Sequence, residues 1–460
     1  MVILMVEPET KYPGDKITSE WANAVLARID GERNGHVPSY TIWGDGATYY
    51  AVCNFPGGVD ITDTHFETVF NAAVLGLPAI SVKLPNAIAS VVTAYTGRIA
   101  IKGVTPTITG ALEIPLGCRI IVEAEGTTQQ MIRNGGEGGT QIFNDQTGSA
   151  FKCLSTKGAV TSTGTVLILK NIEFVQKINL ASATTPVLDL DGMAQGSLDN
   201  VQVVRDYGSD VRLTGTGIQC LQNVGGDDAG GPTMWTQVQV QGFTTGVHAR
   251  IDHWDGRQLD ITDCDLAMDW DICLHNHLKD VHFFRTDKFL KVYGGFTTYG
   301  YATIDGLYLE DVDDEMMEKW YMDVGFHGML HIKGVNVDSS MSTMLWDINT
   351  AGDADCKIWF ENVVAVNSTL FPVCTTPGFG GGGDTYCKNH AMQTVEVWAK
   401  WTTLYYMKIN GALVTTSSNV WGTFLLRPGD SIQIFIDTGA GGTVEWNWRG
   451  VSAEKYHFDD

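Results

Sequence analysis

Apolar and polar positions alternate in short runs along the middle of this chain. One six-residue pattern returns eight times: LKNIEF from Leu169, LDNVQV from Leu198, WTQVQV from Trp235, ITDCDL from Ile261, LKDVHF from Leu278, IDGLYL from Ile304, IKGVNV from Ile332 and FENVVA from Phe360. Each copy begins with an apolar or aromatic residue and carries Asn, Gln, Asp or Gly third. Mostly apolar residues at four and six flank an outward-pointing fifth. Period-two alternation predicts a half-buried strand, and the turn-former ahead of it predicts a bend. The copies start 29, 37, 26, 17, 26, 28 and 28 residues apart, with a mean near 27. A period in the twenties predicts a solenoid. The intervening segments are rich in Gly, Thr, Asp and Val and lack the fixed Leu and Asn of a leucine-rich repeat. The expected fold is therefore all-β, a right-handed parallel β-helix whose coils stack about 4.8 Å apart into a rod of about 40 Å. A step of 17 residues is too short for a coil, so the pattern is expected to be out of register at Ile261 or Leu278, where a combined 43 residues suit two small coils. The 37-residue step predicts an extruded loop at GGDDAGGPT, residues 225–233.

The two ends read differently. ITSEWANAVLARID, residues 17–30, predicts a short amphipathic helix with Trp21, Val25 and Ile29 on one face and Gly31 as its stop. DTHFETVFNAAVLGLP predicts a second, with Thr64 and Glu67 as a capping box, a stripe of Phe66, Val69, Phe70, Ala73 and Leu77, and Pro78 as terminator. Placed before the first strands ISVKLP, RIAIKGV and CRIIVEAEG, it is expected to cover the open end of the rod. After the four consecutive glycines of TTPGFGGGGDTYC come short alternating strands broken by turns, which predict a small antiparallel β-sandwich. The expected divisions are 1–35, an attachment or oligomerisation segment; 36–100, the β-helix entrance with its capping helix; 101–374, the β-helix; 375–390, a Gly-rich linker or loop; and 391–460, the sandwich.

Composition narrows the classes of function. A formal charge of −23 argues against nucleic-acid binding, where affinity comes from Lys and Arg neutralising phosphates. The start MVILMVEPETKYPGD lacks the basic residue and long apolar core of a signal peptide, and no apolar run suggests membrane insertion. Nine cysteines without a C-x-x-C spacing predict mostly reduced thiols, several of them inward-pointing, such as Cys264. Cys374 and Cys387 flank the glycine loop and suit a local disulfide.

The helix DTHFETVFNAAVLGLP leading into ISVKLP resembles the entrance of pectin-lyase-like β-helices, a design shared by polysaccharide lyases and phage tailspikes. RPGDSIQI and EWNWRG resemble the small β-sandwich that ends many virion-surface proteins, and YPGDKITSEWANAVLARI is similar to N-terminal stretches that anchor tail-associated proteins to the particle. The resemblance implies a homotrimeric spike or fibre on the virion surface. Its partners would be other tail or capsid proteins, reached through the N-terminal segment, and a host-surface polysaccharide. Three functions stay open: receptor binding through a glycan, cleavage of that polysaccharide by a tailspike or secreted lyase or hydrolase, and a purely structural decoration.

Glycan cleavage calls for paired carboxylates. Gly226-Asp227-Asp228 and Phe326-His327-Gly328 echo polygalacturonase motifs, but the accompanying Asn-Thr-Asp and Arg-x-Lys are missing. Stacking of coils brings Asp280, Tyr308 and Glu310 onto neighbouring rungs, and Glu310 opens the acidic stretch LEDVDDEMMEKWYMD, so the catalytic candidates are Asp280, Glu310 and Asp311. Flat rings beside carboxylates suit sugars. The carbohydrate-binding candidates are Trp254, Trp270, Tyr293, Tyr299, Tyr308 and Trp320, and the same aromatics would serve equally as subunit contacts. The outward fifth positions are expected at Asp265, His282, Tyr308 and Asn336. His275 and His277 share a strand face, but no H-x-x-x-H or H-E-x-x-H spacing accompanies them, so neither a metal nor a cofactor is expected. No nucleotide loop, dinucleotide fingerprint or serine-hydrolase elbow occurs.

Overall fold

The computed structural model describes residues 38–83, 91–125, 140–154, 165–206, 211–222, 232–272, 275–293, 300–310, 320–322, 328–337, 343–348, 356–365, 369–374, 384–388, 395–401, 404–415, 420–427, 430–436 and 444–450. The helix expected at 17–30, the glycines of the 375–383 stretch and most of the loop at 225–233 lie outside these residues.

The chain is all-β among the described residues apart from one helix, and its strands form two long parallel stacks, as in a β-solenoid. In the first stack, strands Thr165–Gln176, Met193–Arg205, Pro232–Gln241, His253–Thr262, His275–Phe284, Gly300–Glu310, Gly328–Val337 and Cys356–Ala365 pair in order. The second stack runs from Leu112–Ile114 to Thr369–Cys374, one short strand per coil. A single apolar core is shared by the two. From the first come Phe174, Val203, Val240, Ile261, Phe283 and Leu309, and from the second Leu188, Ile218, Val247, Met268 and Leu290.

The recurring pattern is the physical unit of the first stack. Its first positions align as Leu169, Leu198, Trp235, Gly256, Leu278, Ile304, Ile332 and Phe360. Its third positions take left-handed backbone: Asn171, Asn200, Gln237, Gln258 and Asp280 have φ between 54° and 55°, and Gly306 and Gly334 have 79° and 61°. Each strand therefore bends once, at a residue type that tolerates this conformation or, for Gly, adopts it freely. The Asn200 Nδ2 donates to Asn171 Oδ1 at 2.9 Å, which links two bends across coils.

The short step resolves at Ile261. The true copy in that coil is Gly256-Arg257-Gln258-Leu259-Asp260-Ile261, and the 43 residues divide into two coils of 21 and 22. Gly256 hides the pattern because its inward space is already filled. A side-chain carbon there would lie 2.6 Å from Leu278 Cδ2 and 3.2 Å from Leu259 Cδ1.

Helix α1 (Phe66–Gly76) buries Phe66, Val69, Phe70, Ala73 and Val74. Its Phe70 ring meets Phe151 at 6.3 Å, and Phe151 meets Phe174 at 6.1 Å, so the helix is continuous with the core of the first coils. The expected capping box does not form. The N-cap is His65 without a side-chain cap, and Glu67 is drawn away to accept from the Thr109 amide and hydroxyl at 3.2 and 3.1 Å. Asn71 ties α1 to the neighbouring chain, donating to Ala111 O at 3.0 Å and accepting from Glu113 N at 2.8 Å.

Pairing changes from parallel to antiparallel after Thr369–Cys374. Asp384–Lys388, Ser431–Ile436, Leu404–Ile409 and Ala412–Thr415 form one sheet, and Val420–Leu426, Val395–Trp401 and Val444–Gly450 form another. Part of the 375–390 stretch expected as linker thus contributes a strand, Asp384–Lys388. Cys53, Cys118, Cys153, Cys220 and Cys264 are free thiols, and Cys264 is fully buried as expected of an inward residue. The side chains of Cys374 and Cys387 lie outside the described residues.

Candidate functional site

Beyond each bend, positions four and six point into the core and position five points out. Register places the fifth positions in one column: Glu173, Gln202, Gln239, Asp260, His282, Tyr308 and Asn336. The column is nearly sealed at one end, where Glu173 and Gln202 are 1% exposed and Gln239 is 7%, and open at the other, where Tyr308 reaches 37%.

The open end holds the densest chemistry. His282 Nδ1 lies 3.2 Å from Asp260 Oδ1 on the preceding coil, and its Nε2 lies 3.4 Å from Glu310 Oε2 on the next. Glu310 reaches the imidazole because it is in register with Phe284, two residues beyond His282. The Tyr308 ring stands 5.0 Å from His282, and Phe284 lies nearly parallel to the imidazole at 6.0 Å. Arg285 covers Phe284 at 4.9 Å while its guanidinium donates to Asp263 at 2.6 Å. Asp263 also pairs with Arg205 at 3.5 Å and accepts from Gln241 at 3.1 Å, so these cations are held in the wall. This arrangement offers carboxylate acceptors, an imidazole that can donate or accept, and a partly exposed phenol ring.

A second polar group sits at the start of the same strands. His253, His275 and Tyr301 are in register, and the two imidazoles stack at 5.7 Å. Beneath them Asp252 is fully buried, 3.4 Å from His253 Nδ1, and neither carboxylate oxygen has a hydrogen-bond partner. Burial pushes its carboxyl above the usual range, while His253 and His275 act the other way. Stacked rings direct their nitrogen lone pairs in parallel rather than toward a common point, and among the described residues no three His, Cys, Asp or Glu side chains converge to hold a metal ion.

The predicted site residues scatter. Tyr308 and Glu310 belong to the open end. Asp280 is exposed in the bend column, with left-handed φ of 54°, so its backbone role is to turn the strand. Trp254 and Trp270 are corrected from ligand platforms to core: they are 2% and 0% exposed, pack edge to face at 5.8 Å, and Trp270 Nε1 donates to Asn276 Oδ1 at 3.2 Å. Tyr293 and Trp320 are strand residues of the second stack, in register with Asp271 and with the core position Leu290. Asp311 and Tyr299, like Asp227, Asp228 and His327, lie outside the described residues. Asp265 is not a fifth position: it accepts from Arg212 at 2.9 Å, and Asp260 takes its expected place in the column. Sequence reasoning missed Asp260 as the neighbour of His282 and did not place Gln202 and Gln239 in the column. The available signal was the Gln-Leu-Asp-Ile of residues 258–261, which Gly256 concealed.

No protein-family model matches the chain, and no curated protein matches it in sequence.

Proposed function

We propose that this chain is a rod-shaped surface protein that recognises a polysaccharide on the outer face of its first stack. The carrying observation is the open end of the fifth-position column, where His282 stands between Asp260 and Glu310 beside the exposed Tyr308 ring. Carboxylates accept hydroxyl hydrogen bonds and a phenol ring covers the apolar face of a sugar. The setting we infer is a virion spike or fibre, homotrimeric, with a right-handed β-helix, α1 as the plug of its first coil and the terminal antiparallel sheets as a sandwich. Support for the plug comes from the unbroken path Phe70, Phe151, Phe174, and support for the sandwich from two antiparallel sheets of alternating strands. The resemblance of both ends to virion-surface proteins supports the setting.

A second reading, cleavage of the same polymer, is favoured by one feature: Asp260 and Glu310 approach opposite nitrogens of one imidazole from different coils. In hydrolysis one carboxyl group protonates the leaving oxygen while the other takes a proton from water. Binding of the purified protein to host-envelope polysaccharide, followed by analysis for released oligosaccharide, tests both readings. Retained binding without release supports recognition alone, release that disappears in Glu310→Gln establishes cleavage, and neither binding nor release refutes the proposal. Light scattering tests the trimer, which a monomer at micromolar concentration would refute.

A further inference from the structure

Asp252 lies in the turn that leads from strand Phe243–Arg250 of the second stack into His253–Thr262 of the first. The backbone of this turn is tied to the coils on both sides. Asp252 N donates to Gln222 Oε1 at 3.1 Å, Asp252 O accepts from His275 N at 3.1 Å, and Ile251 O accepts from Asn276 Nδ2 at 2.8 Å. The carboxylate is the exception. It is fully buried, and neither oxygen has a hydrogen-bond partner. Folded proteins satisfy the large majority of buried polar groups, and a lone buried charge is the costliest kind to leave unmet. His253 stands beside it, with Nδ1 3.4 Å from Oδ2 and a half-exposed ring that exchanges protons with solvent.

We propose that Asp252 and His253 share one proton that works as a latch: taken up on acidification it fastens the turn, and released at higher pH it leaves a lone buried carboxylate that loosens it. The proton belongs to the pair, either as carboxyl beside imidazole or as carboxylate beside imidazolium, and both forms remove the uncompensated charge. Burial raises the Asp252 carboxyl above its ordinary value, while His253 and His275 act the other way. Stability from a raised carboxyl is full below the unfolded value and is lost as pH rises through the folded one, so the latch is closed on the acid side. In register with His253 are the uncharged Pro232 on one coil and His275 on the other, stacked at 5.7 Å. On the same strand face Asp255 is engaged by Arg257 at 2.9 Å. His275 meets Tyr301 at 6.4 Å and has His277 two residues along its strand. With one buried carboxylate for two stacked imidazoles, a second proton is repelled rather than paired. The strands His253–Thr262 and His275–Phe284 are both anchored to this turn and carry Asp260 and His282, so the latch fastens the two coils that bear the candidate site.

The test is hydrogen exchange in the full chain, followed in peptides that cover the Asp252 and His275 amides and corrected for the chemical dependence of exchange on pH. In the wild type these amides are expected to be about tenfold better protected at pH 5.5 than at pH 8, the change that one unit of proton affinity gained by the pair on folding produces. Asp252→Asn is expected to be well protected at both pH values. His253→Gln keeps only part of the difference, about threefold, because Asp252 must then hold the proton alone, and His275→Gln keeps all of it. Equal protection of the wild type at the two pH values, or an undiminished difference in Asp252→Asn, would overturn the latch. So would a difference lost in His275→Gln but kept in His253→Gln. A difference of the same size in the distant strand Thr165–Gln176 would report global stability and would overturn it as well.

Discussion

Asn200→Ala tests whether the bend column holds the rod together. Asn200 has φ of 55°, and its Nδ2 donates to Asn171 Oδ1 at 2.9 Å. Alanine loses that hydrogen bond, worth about 1 kcal/mol at a partly exposed site. It must also hold a left-handed backbone that costs an ordinary L-residue about 1–2 kcal/mol and that Asn tolerates better. The expected loss is about 2 kcal/mol, a fall of about 2 °C in the unfolding midpoint of a chain this long. Asn200→Gly loses the same hydrogen bond but accepts the left-handed backbone without steric cost, so its loss is smaller, about 1 kcal/mol. Thermal and urea unfolding of the wild type and both variants, followed by circular dichroism, measure the difference. Equal losses for Ala and Gly would refute backbone conformation as the constraint, and a neutral Ala variant would refute the ladder as well.

Asp252→Asn is expected to raise stability at neutral pH, because burial lifts the Asp252 carboxyl above its ordinary value and the ionised form is the costly one. A raised carboxyl pKa gives stability that is full below the unfolded value, about 3.9, and is lost as pH rises through the folded value. The advantage of Asn should therefore shrink as pH falls toward 4, with His253 and His275 the facing titratable groups; an advantage that grows on acidification would contradict this account. Trp270→Ala removes a fully buried ring and the Nε1 bond to Asn276, so it should cost about 3–5 kcal/mol in urea unfolding. A stable Trp270→Ala protein with weakened glycan binding would restore Trp270 as a ligand platform.

Much of the solenoid was legible because its signal is local and repeated. An apolar residue, a turn-former and an apolar–polar–apolar triplet encode a bent strand wherever they occur, and six of the seven aligned left-handed bends, Asn171, Asn200, Gln237, Asp280, Gly306 and Gly334, fall on the predicted third positions, Gln258 being the exception. The stripe Phe66, Val69, Phe70, Ala73 and Leu77 on α1 was equally local, and all five residues are buried. The capping box failed because Thr109, distant in sequence, competes for Glu67.

The sequence by itself determined the repeat, the bend and the alternation of faces. Only the tertiary structure decided register and neighbourhood. A shift of one residue sends every side chain of a strand to the other face, and at Gly256 the space usually filled by a large first residue is taken by Leu278 from the next coil. That contact lies between coils, so the sequence of one coil cannot announce it. For the same reason Asp260 rather than Asp265 meets His282, and Trp254 and Trp270 fill the core instead of facing a ligand. The outward column from Glu173 to Asn336 exists only once the coils are stacked in register, because each residue alone is an ordinary polar position on a strand.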